Sequence, residues 1–324
     1  MKSSSRGNWE EEELENPVGR TEWVLNSINN ELTVRSTVEA ADGEDVPWDD
    51  VKKDVVSAVL LEGVAFICYR AFSCCWDLQS AQIPKSVAFI GDEAFSYCFG
   101  LRSVVIPDSV ETIGSDAFER CRIASIRIPR SVTSFRGNPF PCCDRLEEVD
   151  VSDNPNFVYA EGVLMDREMT QIIHCRHLKS GAYSIPGTVT SICAAAFEDC
   201  GLLTSVAIPD SVVDIGKCAF CGCTGLTSVV IPGTITAIPN YAFTECTNLT
   251  SITVPDSVKE IRVGAFAYCQ SLTSVTIPGS VEVLGEEVFA DCVELTEIRF
   301  VGETQNFRVV DGVLFDRGMT RLIW

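Results

Sequence analysis

Residues 249–271 read LTSITVPDSVKEIRVGAFAYCQS and contain the pattern that runs through most of the chain. Leu249, Ile252 and Val254 are separated by Ser and Thr, and Pro255 follows, which predicts a short β-strand that stops at the proline. After a turn, the segment that ends in Ala-Phe-x-x-Cys has room for about one or two helical turns. One unit is therefore predicted to consist of a strand, a turn and a helical return.

The unit recurs every 23 residues, with a phenylalanine three residues before a cysteine in each copy. In the second half of the chain these pairs are Phe197 and Cys200, Phe220 and Cys223, Phe243 and Cys246, Phe266 and Cys269, and Phe289 and Cys292. In the first half they are Phe72 and Cys75, Phe95 and Cys98, Phe118 and Cys121, and Phe140 and Cys143, with one residue deleted before Ile123. Self-similarity at a fixed period of this length indicates a solenoid.

A single unit offers too few apolar side chains to fold alone, so its core must be continued by its neighbours. With parallel strands about 4.8 Å apart, roughly ten coils would form a curved stack on the order of 50 Å long. The sequence therefore predicts that the Leu, Ile, Phe and Cys side chains of successive coils share one interior.

The fuller text I-P-x-S-V-x-x-I-G-x-x-A-F-x-x-C, or a close variant, begins at Ile83, Ile106, Ile208, Ile231 and Ile277. This pattern closely resembles the BspA-like class of leucine-rich repeats over residues 55–324. The resemblance implies an α/β leucine-rich-repeat solenoid, wound as a right-handed superhelix. A parallel sheet is expected on one face, short helical turns and short strands on the return face, and two inserted β-hairpin modules. Members of this class are mostly surface or interaction proteins that adhere to other proteins or to cells.

The repeat frame divides the chain into six predicted segments. They are an acidic disordered lead (1–20), an N-terminal β cap (21–54), a first block of repeats (55–145), a hairpin insertion (146–180), a second block (181–294) and a C-terminal strand and hairpin (295–324) that is a candidate cap. The two hairpins carry related text, NFVYAEGVLMDREMTQII from Asn156 and NFRVVDGVLFDRGMTRLI from Asn306. Alternating apolar residues around a polar turn predict hairpins.

The formal net charge of −21 opposes binding to nucleic acid, and no stretch has the apolar length of a membrane helix. No secretory signal is recognised at the start, and unpaired thiols suit a reducing compartment. These features favour the cytoplasm, whereas the family resemblance favours the cell surface. The location predicted from the sequence is therefore the cytoplasm, with the cell surface as the family-based alternative.

The 16 cysteines are interpreted mainly as a ladder of buried thiols, because nine of them occupy one repeat position. Cys218, Cys221 and Cys223 form the one cluster with spacing that could suit a metal or redox role. Cys74 and Cys142, each next to a ladder cysteine, are expected to point outward and are candidate reactive thiols. His174 and His177 belong to no catalytic motif and are expected on the surface.

The sequence predicts a non-catalytic scaffold for protein–protein interaction or adhesion, with no cofactor and a protein partner whose identity is open. The outward strand positions are the candidate binding face: Gln82, Val105, Arg127, Ala207, Val230, Thr253, Thr276 and Arg299. An architectural arm or fragment of a larger multidomain protein is the alternative, and a thiol-based metal or redox role is a third. The oligomeric state is open.

Overall fold

In the computed structural model the chain is a β-solenoid of about 11 turns, described over residues 13–15, 23–35, 46–304, 306–310 and 313–318. The strands of the first half are β1 (Glu13–Glu15), β2 (Trp23–Asn26), β3 (Glu31–Val34), β4 (Ser57–Leu60), β5 (Phe66–Ile67), β6 (Ser80–Gln82), β7 (Phe89–Ile90), β8 (Thr112–Ile113), β9 (Ser125–Arg127), β10 (Ser134–Phe135), β11 (Glu148–Asp150), β12 (Phe157–Ala160) and β13 (Val163–Asp166). Those of the second half are β14 (Gln171–Cys175), β15 (Gly181–Ser184), β16 (Ser191–Ile192), β17 (Leu203–Ala207), β18 (Asp214–Ile215), β19 (Ser228–Val230), β20 (Ala237–Ile238), β21 (Ser251–Thr253), β22 (Glu260–Ile261), β23 (Ser274–Pro278), β24 (Val283–Leu284), β25 (Glu297–Val301), β26 (Phe307–Val310) and β27 (Val313–Asp316).

Most coils contribute one strand to each of two faces of the solenoid. On the front face the parallel groups are β4–β6, β9–β11, β15–β17–β19 and β21–β23–β25. On the return face they are β5–β7–β8–β10, β14–β16–β18 and β20–β22–β24. Side chains alternate between core and solvent along each strand, which is why the apolar positions recur at fixed places in the repeat.

The predicted helical turns are wrong, and with them the α/β class: the structure is a β-solenoid of short strands and turns with almost no helix. In the described residues the helix present is one 3-10 helix, Asp49–Asp54, and no helix could cross a membrane. The Ala-Phe segment instead has two residues in the left-handed region, such as Glu93 (φ 54°) and Tyr97 (φ 60°). The N–H groups of this segment donate alternately to carbonyls of the same coil and of the next coil. Ser96 donates to the Glu93 carbonyl at 3.1 Å, and Tyr97 donates to the Glu119 carbonyl at 2.8 Å. Hydrogen bonding to a neighbouring coil excludes the i to i−4 bonds of a helix.

The phenylalanines form stacks along the interior of each block. Neighbouring ring centroids lie 5.0–5.9 Å apart, and the planes are within 18° of parallel. Trp48 continues the first stack, 5.7 Å from Phe72, and its indole Nε1 donates to the Ala71 carbonyl at 2.8 Å. The tryptophan therefore covers the exposed face of the first phenylalanine with a ring of similar shape.

The nine ladder cysteines are buried free thiols, as the repeat frame predicts. Most of them also donate a hydrogen bond to the phenylalanine carbonyl of the preceding coil. Cys98 donates to Phe72 at 3.1 Å, and Cys246 donates to Phe220 at 3.3 Å. Burial raises the pKa of the Cys246 thiol, which keeps the proton on the donor. The ladder thus joins successive coils as well as filling space.

Cys246→Ala should lower the free energy of unfolding by about 2 kcal/mol, because the change removes buried volume and leaves a carbonyl without its donor. Urea unfolding followed by circular dichroism measures the effect. Cys74→Ala is the matched control, since its sulfur is exposed and the expected change is within about 0.5 kcal/mol. Equal effects of the two substitutions would contradict the ladder's structural role.

A three-stranded antiparallel unit separates the two blocks. β12 pairs with β13, β13 pairs with β14, and β14 then pairs in parallel with β16. The Asp166 carboxylate accepts from the backbone N–H of Thr170 and of Gln171 at 2.7 Å, which closes the turn between β13 and β14. Successive residues of β14 belong to two different hydrophobic clusters. Ile173 packs in the core of the first block, and Ile172 packs in the core of the second. The interior is therefore divided here instead of running through as one core.

The chain ends repeat parts of this arrangement. β2 and β3 form an antiparallel hairpin whose second strand pairs in parallel with β4, and β26 pairs antiparallel with β27. The predicted disordered lead lies outside the described residues, apart from β1, which pairs antiparallel with β2. The last residues of the predicted C-terminal hairpin, 319–324, also lie outside them.

Candidate protein-binding surface

The predicted binding face lies on the outer side of the front strands. Seven of its eight residues are exposed and Thr276 is half-buried. The structure brings some of them side by side, with Ala207 paired with Val230, and Thr253, Thr276 and Arg299 in one row. The predicted positions therefore form a surface row, although residues 103–105 of the third coil form no strand.

The two arginines of this row are already engaged within the chain. Arg127 donates to the carboxylates of Asp108 at 3.0 Å and Asp153 at 3.4 Å, and Arg299 pairs with Glu297. The pKa of Arg127 is raised, chiefly by its hydrogen bond to Asp108. The remaining positions carry small or aliphatic side chains, so this row lacks the unengaged aromatic or arginine anchors typical of tight interfaces.

Large side chains instead cluster where the return turns meet the front strands in the first block. We call this cluster the aromatic edge and define it as Trp76, Tyr97, Phe99, Arg120 and Arg122. Trp76 is 48% exposed and Phe99 is 39% exposed, and both guanidinium groups lie at the surface. This surface was not predicted from the sequence, because its residues lie outside the strand positions of the predicted binding face.

The repeat geometry holds the aromatic edge in place. Trp76 and Phe99 each follow a buried ladder cysteine, so the backbone behind them is anchored in the core. The Gly100 N–H donates to the Trp76 carbonyl at 2.9 Å, and the Arg122 N–H donates to the Leu101 carbonyl at 3.0 Å. Backbone bonds between coils therefore present these side chains on rigid, adjacent steps.

Cation–π and aromatic contacts connect the side chains of the aromatic edge. The Tyr97 and Phe99 rings meet edge to face at 6.1 Å, and the Arg120 guanidinium lies 5.6 Å from the Tyr97 ring. The Lys53 ammonium lies 5.8 Å from the Trp76 ring. Such arrangements orient exposed aromatic rings, which lowers the entropy lost when a partner binds.

Pockets flank the aromatic edge. One of about 670 Å³ lies between the 3-10 helix and Trp76, and one of about 580 Å³ lies between Trp76, Phe99 and Arg122. A third, of about 300 Å³, lies where the two blocks meet and shares Phe99 and Arg122 with the second. We call the third the junction pocket. Together they form a broken groove along one side of the first block.

The second block offers an internal comparison, because the same repeat positions hold different residues. The positions after the ladder cysteines read Trp76, Phe99, Arg122 and Asp144 in the first block, and Gly201, Thr224, Thr247, Gln270 and Val293 in the second. A comparison of this repeat position between the two blocks could have identified the surface from the sequence. The backbone is shared between the blocks, whereas at the position after the ladder cysteine the aromatic and arginine side chains occur in the first block and not in the second.

The junction pocket exists because the antiparallel unit has no Ala-Phe turn to fill it. The Asn138 side chain bridges the gap, donating to the Ala195 carbonyl at 2.8 Å. His174 stands in the phenylalanine position, 5.7 Å from Phe140, and is only 5% exposed, with no partner on either ring nitrogen. The surface location predicted for His174 is therefore wrong, because β14 carries the side chain into the core.

Burial at the junction pocket shifts the pKa values of its ionisable groups. Desolvation lowers the pKa of His174 to about 3, so the imidazole is neutral at physiological pH. Burial, and then the nearby Asp199 carboxylate, raises the pKa of Glu198 to about 7. The pKa of the half-buried Cys142 is also raised, first by burial and then by Glu198 and Asp199, which opposes the reactivity predicted for this thiol.

The cysteine cluster is not arranged as a metal site. Cys223 points inward and donates to the Phe197 carbonyl at 3.1 Å, whereas Cys218 and Cys221 are half-buried at the surface. Across the described part of the chain, no three His, Cys, Asp or Glu side chains are placed to hold a metal ion together. The structure therefore sets the buried Cys223 apart from Cys218 and Cys221.

Comparison with known proteins identifies the repeat. A family model described as BspA type leucine rich repeat region matches in six copies over residues 65–181 and 173–296. A solved leucine rich cell surface protein from Faecalibacterium prausnitzii is 26% identical, with 90% of this chain and 95% of that chain covered and a TM-score of 0.64. No curated protein matches the chain.

Two further solved structures share the fold. A leucine-rich repeat protein from Eubacterium ventriosum is 19% identical, with 93% of this chain and 99% of that chain covered and a TM-score of 0.65. The pneumococcal vaccine antigen PcpA is 20% identical, with 90% of this chain and 88% of that chain covered and the same TM-score of 0.65. These likenesses support the solenoid architecture.

Proposed function

Because the chain belongs to the BspA-type leucine-rich-repeat family, we propose that it is a non-catalytic scaffold that binds a partner protein through the aromatic edge. The observation that carries the proposal is the concentration of exposed Trp, Phe and Arg side chains around the half-buried Tyr97, at one end of an otherwise repetitive surface. Trp, Tyr and Arg dominate the binding energy of protein interfaces. The proposed contact therefore lies beside the front face and not on it.

The charges of the groove indicate the chemistry of the partner. Arg102 and Arg122 line the pocket between Trp76 and Phe99, and neither forms an ion pair with a described residue. The pocket also contains one carboxylate, Asp77, so the two guanidinium groups leave it positively charged in a chain of net charge −21. Two guanidinium groups beside aromatic rings make a local site for carboxylates. We propose that the partner presents an extended segment with acidic and apolar side chains.

The cell surface is the proposed location. The likeness to a protein described as a leucine rich cell surface protein supports this alternative. It does not support the cytoplasmic prediction, which rested on the N-terminal sequence and on the free thiols.

Substitution of the aromatic edge tests the proposal. A random peptide display library is selected on the immobilised chain, and the enriched peptides are measured by fluorescence polarisation. The Trp76→Ala/Phe99→Ala variant should weaken binding at least tenfold, because hot-spot residues contribute about 2 kcal/mol or more each. Raising the salt concentration should also weaken binding, since guanidinium–carboxylate contacts are screened.

The second block supplies the matched control. Val293 occupies the same repeat position as Phe99 and is 73% exposed. Val293→Ser should leave peptide affinity unchanged. Enriched peptides that bind both variants as tightly as the original chain would place the binding surface elsewhere.

A further inference from the structure

Cys218 and Cys221 occupy the two ends of one tight turn. The Cys221 N–H donates to the Cys218 carbonyl at 3.0 Å, and both side chains are half-buried. Each of the other eight Ala-Phe segments carries a non-cysteine residue at both of these positions, such as Glu93 and Ser96 in the second coil. The pair is therefore peculiar to one coil and is not part of the repeating core.

The backbone of this turn is held by the next coil. The Cys218 N–H donates to the Asn240 carbonyl at 3.0 Å, and the Gly222 N–H donates to the Thr244 carbonyl at 2.8 Å. A hydrogen-bonded turn brings its first and fourth Cα atoms to within about 7 Å of each other. Disulfides span about 4.4–6.8 Å between Cα atoms, so the turn suits a bond between the two sulfurs with little movement.

The two thiols have different chemical characters. A hydrogen bond from the Cys221 thiol is the largest cause of a lowered pKa at Cys218, and the Lys217 ammonium acts in the same direction. The same hydrogen bond raises the pKa of Cys221. Cys218 is therefore the nucleophile of the pair, and Cys221 is the thiol that resolves a mixed disulfide.

We propose that Cys218 and Cys221 form a reversible dithiol–disulfide site that exchanges with small disulfides. The Cys218 thiolate attacks one sulfur of the small disulfide, whose S–S bond breaks and releases one thiolate. Cys221 then loses its proton to solvent and attacks the Cys218 sulfur, which releases the second small thiol. The protein loses two hydrogens and the small disulfide gains them, so electrons and atoms balance.

Nearby charge selects the kind of disulfide. When ionised, above its pKa of about 7, the Glu198 carboxylate opposes negative charge at both thiols. Glu245 does so at Cys221 and Asp116 at Cys218, where Lys217 alone acts in the opposite sense. An anionic disulfide would meet the same repulsion. The site therefore favours a cationic disulfide, and cystamine is the probe of choice.

The test treats the full chain with cystamine and maps thiols by peptide mass spectrometry. Wild type should form a Cys218–Cys221 bond, and Cys221→Ser should retain a cysteamine adduct on Cys218. Cys218→Ser should leave Cys221 at least tenfold slower to react. Exposed Cys74 reports that the reagent is active, and buried Cys246 should stay unmodified while the coil is folded.

Two outcomes would overturn the assignment. In one, Cys74 reacts in the wild-type chain while Cys218 and Cys221 both remain free thiols. In the other, Cys221 in the Cys218→Ser variant reacts as fast as Cys218 in the Cys221→Ser variant. The wild-type measurement needs no variant to fold, and circular dichroism of both serine variants checks that the solenoid is retained.

Discussion

Replacing Phe220 with alanine is expected to lower the free energy of unfolding of the repeat array by about 4 kcal/mol. Phe220 is fully buried between Phe197 and Phe243, whose ring centroids lie 5.0 Å and 5.4 Å away. The substitution removes one ring from the stack and leaves a cavity. Denaturant unfolding at constant pH measures the loss.

The surrounding coils cannot collapse into that cavity. The Phe220 N–H donates to the Ala242 carbonyl at 2.9 Å, and the Phe197 N–H donates to the Ala219 carbonyl at 2.8 Å. These bonds fix the spacing of the coils, so the effect should lie at the upper end of the range for such substitutions.

The control for this prediction is a phenylalanine outside the stack. Phe99→Ala removes the same atoms from a side chain that is 39% exposed, and should change stability by less than about 1 kcal/mol. A similar loss for both variants would mean that the stacked rings contribute no more than surface rings do.

The interior of the solenoid was predictable from sequence because the Phe and Cys side chains that fill it recur nine times. Phe and Cys stand three residues apart in these nine coils, and both side chains are buried in each of them. Apolar residues that recur at a fixed period are the strongest structural signal in a single sequence. The solenoid and the thiol ladder follow from it.

The conformation of the return turns was not predictable in the same way. Tyr97, Arg120 and Glu245 all lie in the left-handed region, with φ of 60°, 57° and 60°. Glycine or asparagine usually marks such positions, and neither stands here. The conformation is maintained by hydrogen bonds to the next coil, which no local sequence preference records.

The candidate binding surface escaped prediction for a related reason. Its side chains break the repeat instead of following it, so an average over the coils hides Trp76 and Phe99 among Thr, Gly and Gln at the equivalent positions. His174 was wrongly predicted to lie on the surface, because nothing in the sequence shows that β14 places it where other coils have their buried phenylalanine. Departures from a repeat are therefore the places to search for function in such a chain.

His174 and Glu198 should give the junction opposite responses to pH. The pKa of His174 in the folded chain is about 3, below its ordinary value of 6.5, so its contribution to stability falls as pH drops below 6.5. The pKa of Glu198 is about 7, above its ordinary value of 4.5, so its contribution is present below pH 4.5 and is lost as pH rises through 7. Between pH 5 and pH 7 each effect amounts to about 2 kcal/mol, and they oppose each other.

Single substitutions should separate the two effects. Relative to wild type, His174→Phe should become about 2 kcal/mol more stable on going from pH 7 to pH 5. The variant lacks the imidazole that is protonated at pH 5 in the unfolded chain but not in the folded chain. Glu198→Gln should become less stable by a similar amount over the same interval. Urea unfolding at pH 5, 6 and 7 measures both, and the double variant should follow wild type.

His174→Phe should also affect stability at pH 7, because the His174 ring already packs edge to face against the Phe140 ring at 5.7 Å. A phenylalanine there has no unpartnered ring nitrogens, so His174→Phe should be at least as stable as wild type at pH 7. An unchanged pH dependence in this variant would show that the imidazole is hydrated or protonated in the folded chain. The junction pocket would then be open to water, and the separation of the two clusters would reflect solvent between the blocks.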